Sequence, residues 1–181
     1  MNLGSSIGVA GRIARRLRNL FTNTAFVGST SGAPGTTPTG WTRLASAGTW
    51  TVTPGAIQID CTAQRDVIGQ TITVAASTVY VNSAAVTINS GTITCSNIVS
   101  WVAAPAGATI TYFVDGVSKL SSFTPAVGAR VIEAVLTVST TAGTASARLG
   151  LGVQANGTGS VTISEPQAEQ AARRSGYQYR P

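Results

Sequence analysis

From Trp41 to Ser164, apolar and polar positions alternate in short runs separated by turn residues, the period-two pattern of strands with one buried face. The runs fall at 49–53, 56–61, 66–75, 79–81, 86–88, 92–102, 109–114, 117–123, 131–138, 145–153 and 160–164. Pro54-Gly55, Asp115-Gly116 and Thr141-Ala142-Gly143 stand between runs, and Asp-Gly is the strongest of these hairpin signals. Strands at intervals of roughly 8–12 residues, with no helical period between them, predict an all-β protein built as a sandwich or barrel. Val135, Val138, Ile132 and Leu136 are expected in a sheet-packed strand.

The first residues follow a different period. After Ser5 or Ser6 as N-cap, Ile7, Ala10, Ile13, Ala14, Leu17, Leu20 and Phe21 recur at three- and four-residue spacing. Arg12, Arg15 and Arg16 fall on the opposite face, with Arg18 at the boundary. The expectation is a basic amphipathic helix over residues 5–21. Gly8 and Gly11 each weaken it by about 1 kcal/mol relative to alanine, so it would order by docking. Pro34, Pro38 and four glycines between 28 and 40 predict an ordered loop leading into Trp41. Three segments follow: an arm at 1–21, a β-body at 22–164 and a C-terminal extension at 165–181.

Composition sharpens this picture. Hydrophobic residues make up 43% of the 181 and charged residues 10%, while 26 threonines and 20 glycines suit pleated surfaces and turns. Charge is concentrated: residues 1–20 hold four arginines and no acid, 21–164 hold five basic groups against four acids, and the tail holds three against two. The body is nearly neutral and the arm carries the basicity. The arm could be a solvated face, a lipid-surface helix or a peg on an acidic protein surface or nucleic acid; four arginines without lysine favour fixed bidentate pairing with carboxylate or phosphate over loose solvation.

Enzymatic chemistry finds little support. Histidine is absent, which removes the commonest general base and metal ligand. Six acids leave few carboxylate pairs. Asp60 and Asp66 are the closest candidates within the β-body, and Asp66 beside Arg65 reads as half of a surface pair. A structural calcium site would draw on Asp60, Asp66 or Glu165. No cofactor is implied. Cys61 and Cys95 lie in strand-like runs and are either buried thiols or a bridge. No stretch is long and apolar enough to span a bilayer, and no secretory leader is evident. Trp41, Trp50 and Trp101 invite comparison with a sugar-stacking platform. Trp50 and Trp101 sit in alternating runs and belong in a core, which leaves Trp41 as the candidate for glycan stacking.

Two stretches carry a resemblance. Asn19-Leu20-Phe21-Thr22-Asn23-Thr24-Ala25-Phe26, continuing through Pro34-Gly35-Thr36-Thr37-Pro38-Thr39-Gly40-Trp41, resembles the opening of carbohydrate-binding-module-like jelly rolls of tailed-bacteriophage virion proteins. Glu165-Pro166-Gln167-Ala168-Glu169-Gln170, followed by Ser175-Gly176-Tyr177, is similar to the close of the same domains. The resemblance implies a two-sheet jelly-roll β-sandwich whose first and last segments lie together, and a place in a virion. Ala168 stands where the closing motif usually has leucine, and Arg173-Arg174 replaces small residues. Both departures favour a body that clips onto a lattice over a sugar receptor.

The sequence is therefore read as a capsid decoration or cement protein on the capsid surface. Its partners would be the major capsid protein and further copies of itself in a symmetric oligomer, with no direct nucleic-acid contact and no membrane. Ile7, Arg12, Ile13, Arg15, Arg16, Leu17 and Arg18 of the arm, and Arg173, Arg174, Tyr177 and Tyr179 of the tail, are the expected contacts. The alternative is a fibre module that reads bacterial surface glycan through Trp41.

Overall fold

The structure, a computed structural model, describes residues 18–45, 48–62, 65–152 and 158–175. Eleven strands are present among them: β1 (Thr42–Ala45), β2 (Thr49–Thr53), β3 (Ala56–Thr62), β4 (Arg65–Val74), β5 (Val79–Gly91), β6 (Val99–Val102), β7 (Thr109–Val114), β8 (Val117–Lys119), β9 (Gly128–Thr137), β10 (Gly143–Gly152) and β11 (Thr158–Glu169). The one helical element described is a single turn, α1 (Cys95–Ile98). All strand pairs are antiparallel. They form a four-stranded sheet ordered β1-β4-β10-β6 and a seven-stranded sheet ordered β2-β3-β11-β5-β9-β7-β8.

Alternation sets which side chains enter the core. Trp50 is buried between exposed Thr49 and Thr51. Ile57 and Ile59 of β3, Ile68 and Ile72 of β4, Ile132 and Leu136 of β9, and Leu149 and Leu151 of β10 join one hydrophobic cluster shared by the two sheets. Val135 and Val138 are buried as well, Val138 one residue beyond β9. Each fully buried Ile or Leu contributes about 1.5–3 kcal/mol relative to exposure, before ordering costs. Polar groups also cross between the sheets. The Trp101 indole N–H donates to the Ala134 carbonyl at 2.7 Å, and the Asn82 amide donates to the carbonyls of Ser100 and Arg148 at 2.9 and 3.1 Å.

The structure departs from the sequence expectation at four places, each with a physical reason. β5 is one continuous strand where two apolar runs predict two, because Asn82 and Ser83 interrupt the alternation yet both are buried and hydrogen-bonded. The run at 92–102 splits into α1 and β6, and the expected strand at 117–123 stops at Lys119. These two changes are one event. The carbonyls of Leu120, Ser121 and Phe123 turn toward α1, where the Cys95 amide donates to Phe123 at 3.2 Å and the Cys95 thiol lies 3.4 Å from the Leu120 oxygen. Finally, β11 runs on to Glu169, past the boundary expected at 164.

Most of the helical arm expected over 5–21 lies outside the described residues. Residues 18–21, which are described, form no helix. The reason is local: the Leu20 N–H donates to the Ala168 carbonyl at 2.6 Å, so this segment runs along the end of β11.

Candidate attachment site at the joined termini

Asn19 begins the described docking of the chain onto the body. It is fully buried, its amide N–H donates to the Pro166 carbonyl at 3.0 Å, and its side-chain oxygen accepts from the N–H of Ala168 at 2.9 Å and of Phe21 at 3.1 Å. One asparagine thus offers a donor and an acceptor to a strand end and caps its own turn, which a helical Asn19 could not do. Phe21 is fully buried behind it, with its ring centroid 4.9 Å from that of Trp41, and Phe26 lies 5.7 Å from the same indole. Trp41 is only 6% exposed and donates its indole N–H to the Asn23 carbonyl at 3.1 Å. This corrects the expectation of a stacking face: Trp41 closes a small aromatic core beneath the loop and has no open ring to offer a pyranose.

The other side of the same strand end takes the C-terminus. Gln167 and Glu169 are fully buried on the outer face of the seven-stranded sheet, and residues 170–175 pass over them. The Ser175 N–H donates to Glu169 at 3.1 Å, and the Gln167 amide donates to the Ser175 hydroxyl at 3.1 Å and to Glu169. Pro166 and Ala168 hold the root of the arm; Gln167 and Glu169 hold the root of the tail. Both extensions are anchored on the four residues Pro166–Glu169.

The arginine pair of the tail is fixed on its own body. Arg173 forks onto Glu133 of β9 at 2.6 and 3.4 Å, and its guanidinium lies 4.2 Å from the centre of the Phe113 ring. The Arg174 N–H donates to Glu133 at 2.8 Å, and its guanidinium donates to Glu165 at 2.8 Å. The Arg174 side chain is 10% exposed and that of Arg173 is 45% exposed. Arg174 is thus largely enclosed, contrary to its expected role as an outward contact, because Glu133 and Glu165 draw the pair inward. Arg18 is exposed. Ile7, Arg12, Ile13, Arg15, Arg16, Leu17, Tyr177 and Tyr179 lie outside the described residues.

A second charged cluster stands apart from the termini. Asp66 is fully buried, where a surface pair with Arg65 was expected. It accepts from Arg43 at 3.0 and 2.5 Å, from the Trp50 indole N–H at 2.7 Å and from the Gly48 N–H at 3.1 Å. Arg43 also donates to the Gly35 carbonyl at 2.5 Å and lies 4.3 Å from the centre of the Trp50 ring. Four donors converge on this one carboxylate, three of them on Oδ2, and its work is to pin the loop around Gly35 to β1, β2 and β4.

All six acids of the chain are engaged within the body. Asp66, Asp115, Glu133 and Glu165 form ion pairs, Asp60 accepts from Gln58, and Glu169 accepts from Gln167 and Ser175. Among the described residues, no group of three or more His, Cys, Asp or Glu is placed to hold a metal ion. Both cysteines are free and buried. Burial, then the nearby Asp66 and Asp60 carboxylates, push the Cys61 thiol up to about 11 against the opposing pull of Arg43. Burial also raises the Cys95 thiol and the Tyr112 phenol. Neither thiol is an activated nucleophile at neutral pH.

Sequence reasoning placed importance on Arg173 and Arg174 but missed Asn19, Glu133, Gln167 and Glu169, which hold them or their neighbours. The available signal was polar residues at strand positions with no exposed role, as in Glu165-Pro166-Gln167-Ala168-Glu169. No protein-family model matches the chain, and no curated protein matches it.

Proposed function

We propose that this chain is a non-enzymatic structural protein of a bacteriophage virion, a capsid decoration or cement protein that binds and stabilises the lattice of the major capsid protein. The body is read as a jelly roll. Two antiparallel sheets with one shared core, and first and last segments that meet on β11, support that reading. The two stretches that carry the resemblance are the ones in contact.

The observation that carries the proposal is the pairing of a closed body with two extensions rooted at one place. Among the described residues, four of the six acids already form ion pairs with the chain's own arginines, and Arg12, Arg15 and Arg16 bring no acid with them in the first 20 residues. Their complement is an acidic surface on another protein. Ile7, Ile13 and Leu17 would add apolar burial there, the larger share of the binding energy at about 1.5–3 kcal/mol per fully buried side chain before ordering costs. Arg18, exposed beside the root, starts that surface.

The glycan-reading alternative loses its best residue with the burial of Trp41. Quantitative proteomics of purified virions tests the choice. A copy number comparable with that of the major capsid protein is the expected result; a number comparable with fibre subunits would overturn it.

A further inference from the structure

β7 and β8 extend past the smaller sheet. β6, the last strand of the four-stranded sheet, lies over β9 and β5, so the seven-stranded sheet runs on beyond it. There α1 and the segment after β8 close over Tyr112 and Val114, which are buried. That cover stops short of β8. Val117, Leu120, Phe123 and Val127 are four of the five large apolar side chains exposed among the described residues. Val117, Lys119, Phe123 and Pro125 line one open hollow of about 360 Å³. Single exposed apolar residues are ordinary on a protein surface, whereas a cluster of them marks a contact.

The strand edge beside the hollow is open. Asp115-Gly116 is a two-residue turn with φ angles of 49° and 81°, and it pairs Val117 with Val114 and Lys119 with Tyr112. Between them Ser118 turns its backbone N–H and C=O away from β7, because these groups alternate sides along an antiparallel strand. Charge decides what can settle there. Lys119, the only lysine of the chain, holds its ammonium 4.4 Å from the centre of the Phe123 ring and makes no ion pair with a described carboxylate. Arg130, on the rim of the same hollow, meets the half-exposed Asp115 at 3.7 Å, the longest of the four ion pairs described.

We infer that β8 and the hollow beside it take an extended apolar segment of another protein that carries a carboxylate, added as a strand along Ser118. The apolar side chains of such a segment cover Val117 and Phe123, its backbone meets the Ser118 N–H and C=O, and its carboxylate meets Lys119. The occupants this chain could supply fit worse. A lysine on a short edge strand opposes pairing with a second copy, which brings the same lysine. The arm, whose first 20 residues hold four arginines and no acid, brings only like charge. A three-residue edge makes a small contact, so the complex is a transient one. The inference needs no capsid and does not rest on attachment through the arm.

Two blocked synthetic peptides test it, Val-Thr-Val-Glu-Val-Thr and the same sequence with lysine in place of glutamate. Each is titrated into the full chain and followed by amide chemical shifts. The glutamate peptide is expected to move the amides of Ser118, Leu120 and Val127 saturably. It should bind about fivefold more tightly than the lysine peptide, the scale of one partly exposed ion pair. Lys119→Glu is expected to reverse that preference. Ser118→Pro removes only the outward N–H, which an edge strand tolerates, and should weaken the glutamate peptide about fivefold, the scale of one hydrogen bond. The inference is overturned by the absence of saturable shifts at β8, by shifts confined to residues 1–20, or by equal affinity of the wild-type chain for both peptides. A preference unchanged in Lys119→Glu, or a folded Ser118→Pro chain that binds like wild type, overturns it as well.

Discussion

Arginine meets buried carboxylate at two places in this molecule, and the two places behave as opposites. At Arg43–Asp66 both side chains are enclosed, 12% and 0% exposed, and both carboxylate oxygens are satisfied by the guanidinium fork, an indole and a backbone N–H. At Arg173–Glu133 the arginine is 45% exposed, and the adjoining Glu169 and Arg174 each retain an unmatched atom. The same pair of functional groups pins a loop inside the body in one setting and, in the other, holds the strap of residues 170–175 at the surface. Enclosure and completeness make the difference, because exposed pairs are screened while a buried pair broken on one side strands a charge.

The comparison breaks most sharply at Asp66. Asp66→Ala leaves Arg43 enclosed without its partner and is expected to cost about 3–5 kcal/mol, read by urea denaturation. A loss below about 1 kcal/mol would place the cluster in the class of exposed pairs. Trp50→Phe keeps a ring but removes one charged hydrogen bond to Asp66, and about 1.5–3 kcal/mol is expected on the same measurement. Arg173→Ala should cost about 1 kcal/mol or less in stability. Its effect belongs to the strap instead: faster hydrogen exchange at the Arg174 and Ser175 amides, with protection in β2, β3 and β4 unchanged.

The smallest effect at neutral pH concerns Cys61. Its thiol ionises at about 11 in the folded chain against 9.0 ordinarily, so folding favours the protonated form. That contribution is fully present below pH 9 and is lost as pH rises from about 9 through 11. Cys61→Ser should remove this part of the alkaline fall in melting temperature and leave the curve near pH 7 without it.

Much of the body was legible in the sequence. Residues 49–53 and 109–114 alternate cleanly between turn signals, and β2 and β7 have those bounds. Legibility failed where a tertiary partner reversed the meaning of a residue. Asn82 and Ser83 read as a break in β5 because polarity signals exposure until a carbonyl from the other sheet or a strap covers them. Asp66 read as superficial because its partner Arg43 lies 23 residues away. Gln167 and Glu169 read as a polar tail for the same reason, as the strap that buries them is itself polar. Trp41 read as exposed because it follows a loop, while Phe21 and Phe26, which enclose it, come from an expected helix end and from the stretch leading into that loop.

The proposed attachment requires that the body stay folded without the arm but fail to stay on the particle. Removing residues 1–18 spares Asn19, whose three hydrogen bonds join the start of the described chain to β11. The measurement is co-sedimentation of this shortened chain with purified heads that lack the protein, beside the full-length chain and with folding checked by circular dichroism. Retention of the full chain and loss of the shortened one, with an unchanged β spectrum, are expected; retention of the shortened chain at the full-length level would contradict attachment through the arm.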